Sequence, residues 1–475
     1  MLCVSVSPHS RTLAKVDLVN AAQRSDLVEL CLDQLVKEPN VADLLEGVAK
    51  PVLVSCRREE QGGSYRGSEE QRLALLRQAI VAGPAYVELE HDIAGQVPRF
   101  GHTKRVVSFT RTDERPRDLD GVYEKCLKLD ADVVKLAYRT ETLEDAWSLL
   151  AAVAKKRDKP LVGIGFGASG RMLTILGLRY GAPWVYAALE PSMRLFDDQA
   201  TLFDLQEIYD SASIGPQTRF VGIIGFGDRE EHTIRTLNAG FKRHDLPTRC
   251  LPIHPGRPEN LPQPLKKLGI QALFVDPRQG PAMLPLADHV DATARRAQSA
   301  DFLLERSDGW HAYAVLWKHA VKALEAVAGQ PGAGNRSLER RNVLILGASG
   351  LAPSLCYGIG KRHGTVAVTA PDEAEAAQLA HKFDARHVSW NNLYDTLMDV
   401  VVIADPHLTA GHRRGNVNPA MLRSPMAVMD LNRMPEDSSF LDEARARSCR
   451  VVEPAEVYRS YIGEQFQVVT GRPLE

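Results

Sequence analysis

The stretch ADVVKLAYRTETLEDAWSLLAAVAKKR (131–157) holds one strand–helix unit, and this unit decides the fold because it recurs along the first ~210 residues. Residues 131–137 form an apolar β-branched run typical of a buried strand, and 142–157 form an amphipathic segment typical of a helix. Seven further strand runs precede or follow it: LCVSVS (2–7), LVELCL (27–32), PVLVSC (51–56), YVELE (86–90), KRVVSF (104–109), PLVGIGF (160–166) and PWVYAAL (183–189). Eight such units predict an N-terminal (β/α)8 TIM barrel over residues 1–212.

Lys135 is the residue of this strand that points to chemistry. Its neighbours Val133, Val134, Leu136 and Ala137 are apolar. A desolvated lysine tends to release its proton and become an amine nucleophile toward a carbonyl group. A lysine that extends its ammonium to solvent at the strand end is the alternative interpretation.

Polar residues mark the ends of several predicted barrel strands. In a TIM barrel the chemistry takes place at the C-terminal ends of the strands. Five residues fall at or just beyond the ends of five different strands: Glu29, Arg57, Glu90, Thr110 and Lys135. They predict a site at one mouth of the barrel. Salt bridges of Arg57 with Glu29 and Glu90, without a substrate, remain an alternative.

Composition excludes several classes of function. The charged fraction is 25%, the hydrophobic fraction 44% and the formal net charge −2, which provides no field that would gather nucleic acid or an anionic membrane. No apolar run approaches the roughly 18 residues of a spanning helix, and the start lacks a signal peptide. The seven cysteines form no CxxC pair, and the histidines, His311 among them, show no ligand spacing. We expect a cytoplasmic protein without a metal site.

A second α/β region follows residue 218. It begins at RFVGIIGFG (219–227), continues through TRCLPI (248–253) and QALFVDP (271–277), and reaches a helix predicted over 309–329. The segment QPGAGNRSLERR (330–341) has the composition of a linker or loop.

A strand–glycine turn–helix–strand pattern occupies residues 342–370, NVLILGASGLAPSLCYGIGKRHGTVAVTA. This order is that of a Rossmann-type dinucleotide-binding fold, with Gly347, Ala348, Ser349 and Gly350 at the turn. Ser349 replaces the middle glycine, and its Cβ crowds the approach of a pyrophosphate. The segment TAPDEAEAA after the second strand offers no well-placed acid for a ribose and no arginine for a 2′-phosphate. The sequence therefore leaves open whether this fold binds a nucleotide.

Specific motifs in both halves resemble known families. The first half resembles type I 3-dehydroquinate dehydratase in VELCLD, PVLVSCRREEQGG, AYVELE, KRVVSF, ADVVKLA and GFGASGRMLTILGLRYGAP. Residues ~219–475 resemble shikimate dehydrogenase in FVGIIG, LNAGF, VLILGASGLA, DVVVIADP, VMDLNRMP and EQFQVVTGRP. The resemblance implies a fused bifunctional protein of aromatic amino acid biosynthesis. It also implies a substrate domain over 218–329, completed by 446–475, and a Rossmann-like NADP-binding domain over 335–445.

The resemblance also implies roles for single residues. Lys135 matches the lysine that forms a Schiff base with the substrate ketone, and Glu90 matches the partner of the family's proton-shuttling histidine. Glu29, Arg57 and Gln199 match substrate-binding positions. The implied ligands are a small molecule like 3-dehydroquinate and NADP, and a homodimer is compatible with this reading.

Substitutions within the barrel depart from the family pattern. The histidine falls at Thr110, the arginine that holds the substrate carboxylate at Thr174, and another arginine at Cys31. The Pro-Gly of the closing loop becomes Asp197-Asp198, and two acids would oppose an anionic substrate. A general acid–base group is worth about 10²–10⁴ in rate. Arg171, Arg179 or Arg111 are candidate replacement cations, and His91 is a candidate imidazole.

The dehydrogenase half departs further. Its paired serines fall at Glu231 and Thr233, and its catalytic lysine and aspartate at Gln279 and Leu316. Other site positions fall at Asp301, Tyr461, Ala370 and Arg433. We expect this half to be inactive as a shikimate dehydrogenase. For the whole chain three hypotheses remain: an enzyme whose barrel forms an imine, a catalytically degenerate paralogue that serves as a binding, scaffold or regulatory protein, and an enzyme for a ketone that lacks the carboxylate.

Overall fold

A computed structural model describes residues 1–35, 39–329, 337–409 and 416–475. The chain divides into two compact units, Met1–Thr218 with Leu251–Pro264, and Arg219–Cys250 with Leu265–Glu475. The predicted linker over 330–341 and the predicted domain boundary between 329 and 335 fall largely on residues 330–336, which lie outside the described residues.

The first unit is built on eight parallel strands in the described residues. Their order in the sheet is β7-β6-β5-β4-β3-β2-β1-β8, and β7 and β8 lie side by side, so the barrel is nearly closed. The strands are β1 Leu2–Val6, β2 Leu27–Cys31, β3 Val52–Ser55, β4 Tyr86–Glu90, β5 Lys104–Arg111, β6 Val133–Arg139, β7 Leu161–Phe166 and β8 Val185–Ala188. All eight predicted strands are confirmed, and with them the TIM-barrel fold.

Helices cover the outside of this barrel. They are α1 Arg11–Arg24, α2 Val41–Leu45, α3 Glu69–Val81, α4 Leu119–Leu127, α5 Leu143–Ala154 and α6 Arg171–Leu176. Capping boxes fix the starts of two of them: Ser68 with Gln71 at α3, and Thr142 with Asp145 at α5. Each box satisfies backbone N–H groups that the first turn leaves unpaired, and this explains why α5 begins where the amphipathic pattern predicts.

The barrel interior is filled by side chains in layers. One layer is apolar and includes Cys3, Leu27, Leu53, Val106, Val133, Val162 and Trp184. Successive side chains of a strand point to opposite faces, so the residue two positions further along each strand returns to the interior. The next positions toward the C-terminal ends are polar on several strands, and this change from apolar to polar creates the candidate site.

The second unit contains two six-stranded sheets in the described residues. The first has the order β10-β9-β11-β13-β14-β12, with β13 antiparallel to its neighbours. Its strands are β9 Arg219–Ile224, β10 Thr248–Pro252, β11 Ile270–Val275, β12 His289–Val290, β13 Phe302–Arg306 and β14 Gly309–Tyr313. Its helices are α7 Glu230–Arg243, α8 Pro262–Leu268, α9 Gly280–Met283, α10 Ala292–Ala297 and α11 Leu316–Ala328.

The helix predicted over 309–329 is wrong in its first part. Residues Gly309–Tyr313 form β14, which pairs with β13 across the turn at 307–308, and the helix begins only at Leu316. Trp310 and Tyr313 favour a strand, and the hairpin with β13 decides the conformation. The apolar run alone could not separate the two structures.

The second sheet is parallel, in the order β17-β16-β15-β18-β19-β20, and confirms the predicted Rossmann-type pattern. The strands are β15 Asn342–Leu346, β16 Thr365–Thr369, β17 Arg386–His387, β18 Val400–Ile403, β19 Ala427–Asp430 and β20 Arg450–Val451. The helices are α12 Ala352–Gly360, α13 Glu373–Lys382, α14 Ser439–Ala446 and α15 Pro454–Thr470. Among the described helices, we find none that combines the length and apolarity of a membrane span.

His289, Asp308 and His311 come together at the surface of the second unit. The Nε2 atoms of His289 and His311 lie 3.4 and 2.9 Å from Asp308 carboxylate oxygens. β12 and β14 pair in parallel register, and this places the two histidines side by side. His311 therefore has ionisable neighbours that its sequence spacing did not indicate, because the pairing of distant strands supplies them.

Candidate active site at the mouth of the barrel

Lys135 lies inside the barrel, on the face of β6 that also carries Val133. The residue is only 2% exposed, and its Nζ lies 2.8 Å from Glu88 Oε2 and 4.9 Å from the centre of the Tyr186 ring. The ammonium does not extend to bulk solvent, so the alternative of a strand-end lysine reaching into water is wrong. Lys135 has the dry environment that its strand predicted.

Arg57 joins the lysine to a second carboxylate. Its Nη2 donates to Glu88 Oε2 at 3.1 Å and also to Glu29 Oε1. Glu29 accepts from the hydroxyls of Ser5 (2.6 Å) and Ser55 (3.2 Å). Two buried cations and two buried carboxylates thus form one network, and their formal charges cancel.

The protonation of Lys135 is a balance between opposing effects. Burial lowers the pKa of the Lys135 ammonium, Arg57 lowers it further, and Glu88 opposes both. For Glu88, burial raises the pKa of the carboxyl, but Arg57 and Lys135 outweigh burial and hold it below its ordinary value. Glu88 therefore stays ionised beside a lysine that gives up its proton more readily than an exposed one.

A pocket opens over this network. Its wall combines the charged group with an apolar side formed by residues of β6, β7, β8 and the segment after β8. The lining residues are Ser5, Glu29, Arg57, Gln61, Gly62, Thr110, Lys135, Ala137, Ile164, Phe166, Tyr186, Leu195, Phe196 and Gln199. A carbonyl compound that enters this pocket meets the Lys135 amine at its base.

Four of the five predicted catalytic and substrate-binding residues line this pocket: Lys135, Glu29, Arg57 and Gln199. Gln199 is buried, and its side-chain oxygen accepts from the Leu195 N–H at 2.8 Å. That bond ties down the segment after β8 that supplies Leu195 and Phe196. Gln199 therefore holds the pocket wall in place through the backbone of Leu195.

Glu90, the fifth, lies one residue behind the pocket. Its Oε1 accepts from Arg72 Nη1 of α3 at 2.7 Å, and the amide nitrogen of Gln61 donates to the same oxygen at 2.7 Å. Arg72 is fully buried and also donates to Glu69 and to the Cys56 carbonyl. Glu90 therefore anchors a helix, and it contacts Gln61, a residue of the pocket wall.

Thr110, Thr174 and the candidate imidazole His91 differ in whether they line the pocket. Thr110 lines the pocket, whereas Thr174 on α6 and His91 after β4 are not among its lining residues. The His91 ring packs on Phe109, with 4.9 Å between ring centres, and burial lowers the pKa of its imidazole. The candidate imidazole therefore stays outside the pocket.

Glu88, Ser5 and Tyr186 are functional candidates that sequence reasoning missed. Glu88 contacts both cations of the network and is the closest partner of Lys135. The signal was present: Tyr86, Glu88 and Glu90 share one face of β4, so an inward Glu90 implies an inward Glu88. Glu90 was predicted instead of Glu88 because it lies at the end of β4, and the chemistry of such barrels is concentrated at strand ends.

The glycine turn of the second unit lies beside a second pocket. Gly347 and Gly350 both have positive φ, and a Cβ at Gly350 would come within 3.2 Å of Arg278 Cγ. Arg278 thus packs on the turn, and its guanidinium binds Asp276 at 2.7 and 3.0 Å. Leu316, at the position of the family's catalytic aspartate, lines this pocket. Gln279, at the position of the catalytic lysine, is not among its lining residues.

Other predicted departures in this unit have structural roles. Thr233 accepts from Tyr458 and donates to the Arg229 carbonyl. The carboxylate of Asp301 accepts from the N–H groups of Val315 and Leu316 at the start of α11. These side chains belong to the fold of the unit.

Comparison with known proteins agrees with this geometry. The model of the family described as type I 3-dehydroquinase matches residues 2–216. The 3-dehydroquinate dehydratase of Dehalococcoides mccartyi is 30% identical over 207 residues, which cover 42% of this chain and 92% of the relative.

Two further comparisons extend beyond the barrel. The chloroplastic bifunctional 3-dehydroquinate dehydratase/shikimate dehydrogenase of Arabidopsis thaliana is 25% identical over 478 residues, 94% of this chain and 78% of the relative. A crystal structure of a shikimate dehydrogenase in complex with NADP+ has a TM-score of 0.48 and 20% identity, and covers 55% of this chain and 92% of that one. The chain belongs to the type I 3-dehydroquinase family, and along its length it resembles the bifunctional dehydratase/dehydrogenase of aromatic biosynthesis.

Proposed function

We propose that the barrel binds a carbonyl compound and forms an imine with it at Lys135, the covalent step expected of this family. One observation carries the proposal: a 2%-exposed lysine whose Nζ lies at the base of a pocket, beside Glu88. Burial and Arg57 lower the pKa of this amine, and a larger share of it is therefore neutral and nucleophilic.

The residues around Lys135 serve this step. The neutral amine attacks the carbonyl carbon, two hydrogens leave Nζ with the carbonyl oxygen as water, and a C=N bond remains. When the imine is protonated its positive charge faces Glu88 and the Tyr186 ring, which both favour a cation. Arg57 holds Glu88 in place from the other side.

A dehydration also needs a base for proton transfer, and the described part of the pocket lining does not supply a histidine for this step. Among the lining residues that the structure describes there is no histidine, and Thr110 stands where the family histidine would be. A threonine hydroxyl is a poor base near neutral pH, so we expect 3-dehydroquinate turnover to be lower by about 10²–10⁴ than with a histidine there. Imine formation does not depend on that group and is expected to persist.

Borohydride trapping tests the proposal. The protein is incubated with 3-dehydroquinate, a range of neutral ketones and borohydride, and intact mass is measured. We expect one reduced adduct per chain in the wild type and in Lys125→Met, which removes an exposed lysine on α4, and none in Lys135→Met. An adduct that persists in both variants would refute the assignment to Lys135. No adduct with any carbonyl would refute imine formation and leave a binding or scaffold role for the barrel.

For the second unit we infer a Rossmann-type fold whose residues do not fit NADP. Asp372 after β16 and Glu373 at the start of α13 are both acidic, and two acids there repel a 2′-phosphate. Asp372 is already used, because its Oδ1 caps α13 by accepting from Ala374 and Glu375 at 3.0 Å. The side chain of Arg278 packs on Gly350, where a dinucleotide would approach the turn. A fluorescence titration with NADPH is expected to show no saturable binding up to millimolar cofactor, and saturation at micromolar cofactor would contradict this inference.

A further inference from the structure

The charges of the barrel site point to a class of substrate. We propose that the pocket selects an uncharged carbonyl compound over one that carries a carboxylate. This proposal rests on imine formation at Lys135 and adds a preference among its partners.

Each cation of the site is already compensated. Lys135 contacts Glu88, and Arg57 contacts Glu88 and Glu29, so two positive charges face two negative charges. All four residues are at least nine-tenths buried. A carboxylate that enters must compete with Glu29 or Glu88 for a guanidinium that they hold, and it would leave the buried site with one excess negative charge.

Replacement cations are absent from the pocket wall that the structure describes. Arg111 lies beyond the lining and pairs with Asp113 (3.4 Å) and Glu114 (3.2 Å). Arg179 donates to the Thr218 carbonyl at 3.0 Å and is likewise outside the lining. Lys135 and Arg57 are therefore the cations that a ligand in this pocket meets.

The segment after β8 carries two acidic residues. Leu195, Phe196 and Gln199 of this segment line the wall, and Asp197 and Asp198 lie between them in sequence. Two carboxylates on the segment that borders the pocket disfavour the approach of an anion.

Part of the remaining wall is apolar. Ala137, Ile164, Phe166, Leu195 and Phe196 supply it, and the rings of Phe166 and Phe196 meet edge to face with 5.1 Å between centres. A carboxylate loses hydration against such a wall without a hydrogen-bond partner, whereas a ketone or hydroxymethyl group loses much less. The apolar wall and the charge balance thus favour the same neutral ligand.

A matched pair of ring ketones tests the preference. The probes are 4-(hydroxymethyl)cyclohexanone and 4-oxocyclohexanecarboxylate, which differ mainly in charge, each trapped on the wild-type protein with borohydride. The reduction transfers hydride from boron to the imine carbon and leaves a stable secondary amine on Lys135. We expect the neutral probe to be trapped faster by at least about tenfold, a difference of about 1.4 kcal/mol.

A charge variant tests the cause of the preference. Glu29→Gln keeps the size of the side chain and leaves the site with one excess positive charge, so the ratio is expected to move toward the carboxylate by about tenfold. Glu124→Gln makes the same change in net charge at an exposed position of α4, and its ratio is expected to equal that of the wild type. Equal trapping of both probes, or faster trapping of the carboxylate, would overturn the preference while imine formation stands. An unchanged ratio in Glu29→Gln would overturn the charge argument, and failure of both probes would refute imine formation itself.

Discussion

Lys135 and Glu88 form the pair on which the chemistry of the barrel depends. Burial and Arg57 lower the pKa of the lysine, whereas Glu88 keeps a positive charge favourable at the same place. An amine in this position can become neutral for attack and can then carry the positive charge of a protonated imine. The 2.8 Å contact links both states to one carboxylate.

The pH dependence of trapping follows from this environment. Since the pKa of Lys135 lies below the ordinary 10.5, the neutral fraction of its amine rises at lower pH than for an unperturbed lysine. We expect the rate of adduct formation, followed by mass spectrometry with a neutral ketone, to increase with pH and to reach half of its maximum below 10.5. A half-point at or above that value would show that the amine is not desolvated.

Glu88→Gln tests the network through stability. The variant leaves Lys135 and Arg57 with Glu29 as the one remaining carboxylate of the network, and an uncompensated buried charge costs about 3–5 kcal/mol. We expect the free energy of unfolding in urea to fall by about this amount. In the double variant Glu88→Gln/Lys135→Met the loss is expected to be smaller than the sum of the two single losses, because the charge that Glu88 compensates is partly removed. Additive losses would show that the two side chains do not interact.

Among the helices and strands, the pattern within one element could be predicted from sequence, whereas contacts between elements could not. The apolar runs predicted the barrel strands, and the amphipathic segment over 142–157 predicted α5. The hairpin at Gly309–Tyr313 could not be predicted, because a short aromatic run fits a helix or a strand until its partner β13 is known. The contact between Arg72 and Glu90 could not be predicted either, because Arg72 reaches Glu90 from a helix and no strand pattern shows that contact.

Arg72 is expected to anchor α3 to the ends of β3 and β4. Arg72→Met would leave Glu90 buried without its cation and should lower the free energy of unfolding by about 3–5 kcal/mol. Arg66→Met removes an exposed pair with Glu59 and should change it by less than about 1 kcal/mol. Glu90→Gln is expected to keep trapping at Lys135 within about threefold of the wild type. Loss of trapping in Glu90→Gln with the fold intact would assign Glu90 to the chemistry instead.

Asp301 makes the start of α11 sensitive to pH. Burial raises the pKa of this carboxyl to about 7, although hydrogen bonds from Val315 and Leu316 oppose the shift. Between its ordinary value of 3.8 and about 7 the folded state holds one more proton than the unfolded state, so stability falls as pH rises through this window. We expect Asp301→Asn to flatten this fall in urea unfolding measured from pH 4 to 8. An equal slope in both proteins would place the pKa near its ordinary value.

For the whole molecule, sequence motifs predicted the fold class of both halves and most of the barrel pocket. They could not predict that the four charges of the network cancel, because that balance depends on the contact between Glu88 of β4 and Lys135 of β6, two strands that lie on either side of β5. They also could not place Arg278 on the glycine turn, since residues distant in sequence meet there. What the motifs miss is therefore charge compensation between separate elements.

The most direct test is a peptide map of the borohydride-reduced protein over every lysine of the chain. We expect a neutral ketone at limiting concentration to modify Lys135 first and alone, because this buried amine combines a lowered pKa with a pocket that holds the carbonyl. Adducts spread over exposed lysines, with Lys135 unmodified, would contradict it.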